Sequence, residues 1–124
     1  MPLMTSESTS IMLNLEVALH ETEDLERRRQ LRAFLMLCRS RLVPDELGLP
    51  RTTRRRVEGL RRGEVAELIG VSVDWYRSLE SGRPVRVSTQ LLSRLAGALR
   101  LTASQRLRLF RLSVPELYRL DVPA

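Results

Sequence analysis

The chain has 124 residues and a formal charge of +6 at neutral pH, a size that allows one small domain with one core. Its single cysteine, Cys38, excludes an intramolecular disulfide, and its single histidine, His20, excludes a clustered histidine metal site. Apolar runs stay far short of the roughly 20 residues that span a bilayer, and the N-terminus lacks the pattern of a secretion signal. We therefore expect a cytoplasmic protein that uses neither a metal nor a cofactor.

The charge is divided unevenly along the chain. Residues 1–26 contain six acidic residues and no Lys or Arg, whereas residues 27–124 contain 21 Arg and nine acidic residues, so a segment of −6 precedes a body of +12. Every basic residue is arginine, whose planar guanidinium matches phosphate oxygens, although the codon usage of a GC-rich genome would give the same bias. The body is therefore suited to a polyanion such as nucleic acid.

Helical periodicity predicts an all-α chain, beginning with an acidic N-terminal extension over residues 1–24. Part of this extension, about residues 10–20, is amphipathic, and the extension is expected to be partly helical or flexible. A stronger helix is predicted from Glu23 to Leu42. Its inward face is assigned to Leu31, Leu35, Cys38 and Leu42, with Phe34 alongside. Its outward face is assigned to Arg32, Arg39 and Arg41.

Two short helices joined by a tight turn follow a polar loop over residues 44–59. The first covers residues 60–69, and Gly70 stands where a helix commonly ends in the left-handed conformation. Ser72 is a natural N-cap for the second, which is expected to reach Ser81 and to be closed by Gly82. The inward residues of the second helix are Tyr76 and Leu79. The residues expected to point outward together are Val73, Asp74, Arg77, Ser78 and Ser81.

Two more helices complete the predicted domain, which covers residues 25–114. Ser88 caps a helix with Leu91, Leu92, Leu95 and Leu99 inward. Thr102 caps the last helix, with Leu107 and Phe110 inward, before Pro115 ends the helical pattern. Residues 115–124 are expected to form a C-terminal tail.

The paired short helices resemble the repressor/Cro-type helix-turn-helix family, also called XRE-like regulators. The resemblance is carried by a Glu and a small Ala in the first helix, by the turn Gly70-Val71-Ser72, and by the exit Leu79-Glu80-Ser81-Gly82-Arg83. It covers about residues 25–113 and is closest to the MmyB-like branch. It departs from the family at Gly63, where Glu is usual. That branch also typically continues into a C-terminal, PAS-like ligand-binding domain, which these 124 residues do not contain.

The resemblance implies a five-helix DNA-binding domain whose third helix, about residues 72–81, enters the major groove. Arg77 and Ser78 are expected to contact bases, and Val73 a thymine methyl. Asp74 either joins them or serves the helix dipole. The indole N–H of Trp75 is expected to donate to a phosphate while its ring covers the core edge. Glu80 is expected to pair with an arginine. The remaining candidate DNA contacts are Arg62, Ser72, Arg83, Arg86 and Ser88, together with Arg54, Arg55 and Arg56, which otherwise form a solvated loop.

The predicted function is a non-enzymatic, sequence-specific transcriptional regulator that binds double-stranded DNA as a homodimer. One recognition helix covers few base pairs, so useful specificity normally needs two half-sites. The sequence has no nucleophile–base pair or phosphate loop that would favour an enzyme. The alternative is a protein-interaction module, such as an antitoxin or adaptor, in which the acidic segment binds a basic partner or covers the chain's own basic surface.

Overall fold

The computed structural model describes residues 6–42, 59–83 and 85–121. Within these ranges all regular structure is helical, which confirms the all-α helix-turn-helix fold. The predicted loop arginines Arg54, Arg55 and Arg56 lie outside the described residues. The helices are α1 (Ser6–Ser40), α2 (Arg62–Ile69), α3 (Val73–Glu80), α4 (Thr89–Ala98), α5 (Ala103–Ser113) and α6 (Pro115–Asp121).

A single helix, α1, replaces the two N-terminal segments predicted from the sequence. The two predicted segments are joined by residues 20–23, which contain no Gly or Pro that would end a helix. The hydroxyl of Thr22 donates to the Ala18 carbonyl one turn earlier, at 2.9 Å, a bond that is compatible with a continuous helix. The change of apolar face near residue 23 therefore marks where the helix meets the body. The helix itself does not end there.

The predicted helix ends are confirmed where a local signal defines them. The Oγ atom of Ser72 accepts from the Trp75 N–H and that of Ser88 accepts from the Leu91 N–H, each at 3.1 Å. Thr102 forms a capping box with Gln105. Gly70 and Gly82 have φ values of +75° and +81°, a conformation in which any other L-residue would be strained.

The core lies between the C-terminal half of α1 and the four helices that follow. It contains the predicted Leu31, Leu35 and Cys38, which are at most 5% exposed. Burial raises the pKa of the Cys38 thiol, in keeping with a structural residue. The other buried hydrophobic residues are Leu60, Val65, Ala66, Ile69, Tyr76, Leu79, Leu92, Leu95, Ala96, Leu99, Leu109 and Leu112.

Two side chains face the opposite way from the sequence prediction. Arg39, predicted outward, is only 8% exposed, because a buried acidic partner draws it into the core. Leu107, predicted inward, is 50% exposed. The inward residues of α5 are Leu109 and Leu112, and Leu107 lies two positions before Leu109, nearly on the other side of the helix.

Pro115 ends α5 as predicted but also begins α6, so the expected tail is helical as far as Asp121. Proline is well tolerated in the first helical turn because its missing N–H has no intrahelical acceptor there. The α6 helix packs on α5 and α1. Arg119 of α6 lies 3.7 Å from the Glu23 carboxylate of α1, and Tyr118 accepts from Gln30 at 3.4 Å.

The packing order fixes where α3 stands. The α2 and α3 helices pack on each other, α4 supports α2, and α1 contacts α3, α5 and α6. One side of α3 is therefore held between α2 and the end of α1, and its other side is free to meet a partner.

Gly63 offers a direct test of the helix-turn-helix backbone. A Cβ added there would meet its nearest neighbour, a Val73 methyl, at 3.9 Å, and the residue is helical. Gly63→Ala is therefore expected to raise the free energy of unfolding by about 0.4–1 kcal/mol, measured by urea titration. The matched control is Gly70→Ala, which also has open space but a φ of +75°, and which is expected to cost about 1–2 kcal/mol. Equal effects at both positions would contradict this account.

Candidate nucleic-acid interface

The α3 helix presents the outward face that the spacing predicted. Tyr76 and Leu79 are 0% and 3% exposed, whereas Val73 is 39% exposed. Asp74, Arg77 and Ser81 are also exposed, and Ser78 is half-buried. Tyr76 and Leu79 anchor α3 in the core. The packing of the helix therefore does not depend on the exposed side chains of its outward face.

Ser72 and Trp75 stand at the start of α3 with mainly structural contacts. The Ser72 hydroxyl is exposed, but its oxygen is engaged in the cap. Trp75 is half-buried, and its ring packs against the core cluster. This placement matches the expectation that the Trp75 ring covers the core edge.

A concave surface lies beside α3, between the C-terminal half of α1 and the start of α2. Its seven lining residues come from α1, α2, α3 and the segment after α3. They are Arg32, Arg62, Asp74, Arg77, Ser78, Ser81 and Arg83. Four arginines against one aspartate give this cleft a net positive charge, which favours phosphate or another anion.

Sequence reasoning had assigned five of these seven residues to DNA contact. It had placed Ser81 on the same outward face, but it missed Arg32. That residue lies more than 40 positions from α3 along the chain and meets the cleft only because α1 packs on α3. The one local signal, an exposed arginine on a helix, is too common in this sequence to single it out.

Asp74 and Arg77 form an ion pair on the exposed face of α3. The Nη1 atom of Arg77 lies 3.4 Å from the Asp74 Oδ1 atom, and their side chains are 56% and 87% exposed. An exposed pair of this kind adds little to stability. The carboxylate therefore orients Arg77 without binding it so tightly that an approaching base edge or phosphate could not replace it.

The segment between α3 and α4 carries two further exposed arginines, Arg83 and Arg86. Arg83 lines the cleft, and Arg86 lies outside it, nearer to α4. Ser88 follows as the cap of α4, with its hydroxyl exposed and its oxygen accepting from Leu91. Arg83 and Arg86 therefore lie in the short segment between α3 and α4, next to the C-terminal end of the outward face of α3.

The inner side of α3 ends in a buried carboxylate. Glu80 is fully buried and accepts from Nε of Arg39 at 2.8 Å through one oxygen, while Nη2 of Arg39 reaches the other oxygen. The third Arg39 donor, Nη1, reaches the Leu60 carbonyl at 2.8 Å. The expected arginine partner of Glu80 is therefore found, and one buried guanidinium links α1, the segment before α2, and α3.

Arg62 connects this buried cluster to the cleft. Its Nε atom donates to the Glu80 Oε1 atom at 3.1 Å, while its side chain remains 36% exposed and lines the cleft. Arg62 also begins α2, two residues after the predicted start of that helix. The side chain is therefore fixed at one end and accessible at the surface, an arrangement that positions a cation for an incoming anion.

The titration of Glu80 follows from these contacts. Burial alone would raise the pKa of the carboxyl, but the hydrogen bonds and charge of Arg39, with a further hydrogen bond from Arg62, hold it below its ordinary value. The pKa of Arg39 is raised in turn, because its contacts with Glu80 outweigh the effect of burial. Glu80 is therefore an ionised structural group at neutral pH.

Residues 25–109 match the helix-turn-helix domain family, which is well over half of the chain. The protein belongs to this family, and membership indicates DNA binding. No curated protein and no solved structure matches the chain. Among the described residues, the helices are too short or too polar to cross a membrane.

The buried cluster predicts a large difference between two neighbouring arginines. Arg39→Ala leaves the Glu80 carboxylate buried without its main partner and is expected to cost about 3–5 kcal/mol in urea unfolding. Arg41→Ala removes an exposed arginine two positions later and is expected to change stability by less than about 0.5 kcal/mol. Similar losses for both variants would show that the cluster does not anchor the fold.

The same cluster predicts an acid dependence. Because the folded-state pKa of Glu80 is lowered, its contribution to stability is complete above the ordinary glutamate pKa of about 4.3 and is lost as the pH falls through the lower folded value. The difference in unfolding free energy between the wild type and Glu80→Gln should therefore be constant from about pH 5 to 7 and shrink below about pH 4. A difference that grows on acidification would contradict the assigned direction.

Proposed function

We propose that the protein is a sequence-specific transcriptional regulator of the XRE-like type, nearest to the MmyB-like branch, and that α3 reads the major groove of double-stranded DNA. The observation that carries this proposal is the combination of an anchored inner face and an exposed outer face on α3, next to a cleft lined by four arginines. The eight residues of α3 give a helix about 12 Å long. The diameter of an α-helix with its side chains, about 10–12 Å, fits the major groove, which is about 12 Å wide.

The residues of the outward face divide into two roles under this proposal. In the proposal, Arg77 forms a bidentate contact with guanine, Ser78 bonds a base edge, and Val73 contacts a thymine methyl. Asp74 orients Arg77 through their ion pair. The residues that hold the phosphate backbone are Arg32, Arg62, Arg83 and Arg86.

A second candidate function, a protein-interaction module such as an antitoxin or adaptor, is supported by one observation. Large apolar side chains in the first half of α1 are exposed, including Ile11, Leu15 and Leu19. All side chains from Ser8 to Thr22 are exposed, so this segment does not cover the chain's own α3 surface. The two candidate functions predict different DNA binding. A sequence-specific regulator prefers one duplex over a scrambled duplex of equal length, whereas a protein-interaction module prefers neither.

Base reading is tested by selecting duplexes from a random pool and measuring their affinity by fluorescence anisotropy at physiological salt. The selected duplex is expected to bind at least about 10³-fold more tightly than its scrambled version. Arg77→Ala should lose about 1–3 kcal/mol on the selected duplex and little on the scrambled one. If no duplex is preferred, charge alone explains the binding and the interaction module becomes the better function.

Backbone holding is tested by salt dependence with a matched pair of exposed arginines. Arg83→Ala should weaken both duplexes alike and reduce the slope of log K against log salt by about 0.9, the amount expected for one phosphate contact. The control is Arg108→Ala on α5, a helix that packs on α1, α4 and α6 and lies away from the cleft. Its slope should equal that of the wild type, and equal slopes for both variants would remove Arg83 from the interface.

A further inference from the structure

A cavity of about 250 Å³ lies where the middle of α1 meets the C-terminal end of α3, the segment between α3 and α4, and the junction of α5 and α6. An apolar cavity of about 150 Å³ holds benzene, so this one has room for a molecule of roughly ten non-hydrogen atoms. The cavity adjoins the cleft beside α3. Arg83 lines both, and Arg28 of the cavity lies about one turn before Arg32 of the cleft on α1.

Three buried polar atoms belong to residues that line this cavity and have no hydrogen-bond partner in the part of the chain that the structure describes. They are Nε of Arg27, Nε of Arg28 and Oγ of Ser113. Arg27 and Ser113 are each only 8% exposed. Folded proteins leave few buried polar groups without a partner. Because all three atoms can donate a hydrogen bond, they point to a ligand that brings acceptor oxygens into the cavity.

The Arg27 guanidinium is fixed in position, but its charge is poorly compensated. Its Nη1 atom donates to the Leu112 carbonyl at the end of α5, at 2.9 Å. The Asp24 Oδ1 atom lies 3.7 Å from Nε, too far for a hydrogen bond, and 3.9 Å from Nη2 of Arg119. Burial lowers the pKa of Arg27 despite the attraction of Asp24. An additional anion beside Arg27 would therefore stabilise its charged form.

The lining has one charged part and one apolar part. Three arginines, Arg27, Arg28 and Arg83, stand against one carboxylate, Asp24, so the charged part favours an anion. Since Asp24 repels a dianion more strongly than a monoanion, the charged part suits a carboxylate better than a phosphate. The apolar part consists of Leu31, Leu79, Val85, Val87 and Pro115. A hydrocarbon body attached to the carboxylate would cover this apolar part.

We propose that the cavity binds a small monocarboxylate with a hydrocarbon body of about four to eight carbons, and that the bound ligand weakens DNA binding through Arg83. The carboxylate accepts hydrogen bonds from Arg27, Arg28 and Ser113. Because Arg83 lines both the cavity and the cleft, the ligand carboxylate and a DNA phosphate compete for one guanidinium. The effect on DNA rests on the proposed function, whereas the ligand site does not.

Ligand binding is tested by titrating the ¹⁵N-labelled full chain with isocaproate and with benzoate, and by following the amide shifts of Val85, Val87 and Ser113. At least one carboxylate is expected to bind with a dissociation constant of about 1 mM or lower. It should bind at least about tenfold more tightly than its neutral amide, isocaproamide or benzamide. It should also bind at least about tenfold more tightly than acetate, which has the charge but almost no hydrocarbon body. Failure of both carboxylates to bind, or equal binding of the amide, would overturn the proposal.

Ser113→Ala separates a ligand role from a structural role. Because the buried hydroxyl has no partner among the described residues, its removal should leave the thermal unfolding midpoint of the ligand-free protein unchanged or raise it. The same substitution should weaken carboxylate binding at least about fivefold. An unchanged carboxylate affinity would contradict the assignment of Ser113 to the ligand site.

Two neighbouring arginines provide a matched pair. Arg28→Gln removes a guanidinium from the cavity but keeps the Cβ and Cγ atoms that pack against Gly82, and is expected to weaken carboxylate binding at least about tenfold. Arg29→Gln removes the same charge from an exposed side chain that is paired with Glu26 and does not line the cavity. Its affinity should stay within about twofold of the wild type. Equal losses would attribute binding to the overall charge and overturn the site.

Competition for Arg83 is tested with the selected duplex at an ionic strength matched with sodium chloride. A saturating concentration of the tighter carboxylate should weaken duplex binding by the wild type at least about threefold and should have no such effect on Arg83→Ala. If a carboxylate binds but leaves the duplex affinity of the wild type unchanged, the competition is overturned. If the wild type prefers no duplex, the regulator function fails, and the carboxylate titrations alone decide whether the ligand site stands.

Discussion

The ionised Glu80 carboxylate is the constraint on which the arrangement of the first three helices depends. It is fully buried, and among the residues that the structure describes Arg39 and Arg62 donate charged hydrogen bonds to it. A carboxylate buried without such partners would cost several kcal/mol. Since Arg39 also bonds the Leu60 carbonyl, α3 can satisfy its carboxylate only where the end of α1 and the start of α2 meet. The orientation of α3 is therefore specified by charge as well as by the apolar contacts of Tyr76 and Leu79.

This anchoring separates the residues that fold the domain from those proposed to read DNA. Val73 and Arg77 are exposed on the side of α3 away from the core, so their replacement alters the surface and leaves the buried contacts intact. Ser78 lies on the same side but is half-buried. Arg62 belongs to both groups, because one nitrogen completes the Glu80 cluster and the rest of the side chain reaches the cleft. A substitution at Arg62 therefore affects stability and binding together, whereas substitutions at Arg77 affect binding alone. That difference makes Arg77 the cleaner probe of recognition.

The sequence predicted best the features that short-range physics determines. The caps at Ser72, Ser88 and Thr102 and the left-handed glycines need only a few neighbouring residues, and the spacing of Tyr76 and Leu79 assigned both faces of α3. Contacts between distant segments escaped prediction. Spacing placed Arg39 outside because a charged residue is normally solvated, and nothing nearby in sequence shows that Glu80, 41 positions later, would bury it. The same holds for Arg32 in the cleft, and for α6, where a proline that ends one helix also begins the next.

The most direct test of the central claim is a titration of the ¹⁵N-labelled protein with a selected duplex, followed by the amide chemical shifts. We expect the largest changes at Val73–Ser78 and at Arg83 and Arg86, with matching losses of intensity in the same residues. Amides of α5 and α6 should move little, since these helices pack on the side away from the cleft. Changes concentrated in α5 and α6, with α3 unaffected, would contradict the assignment of α3 as the helix that reads DNA.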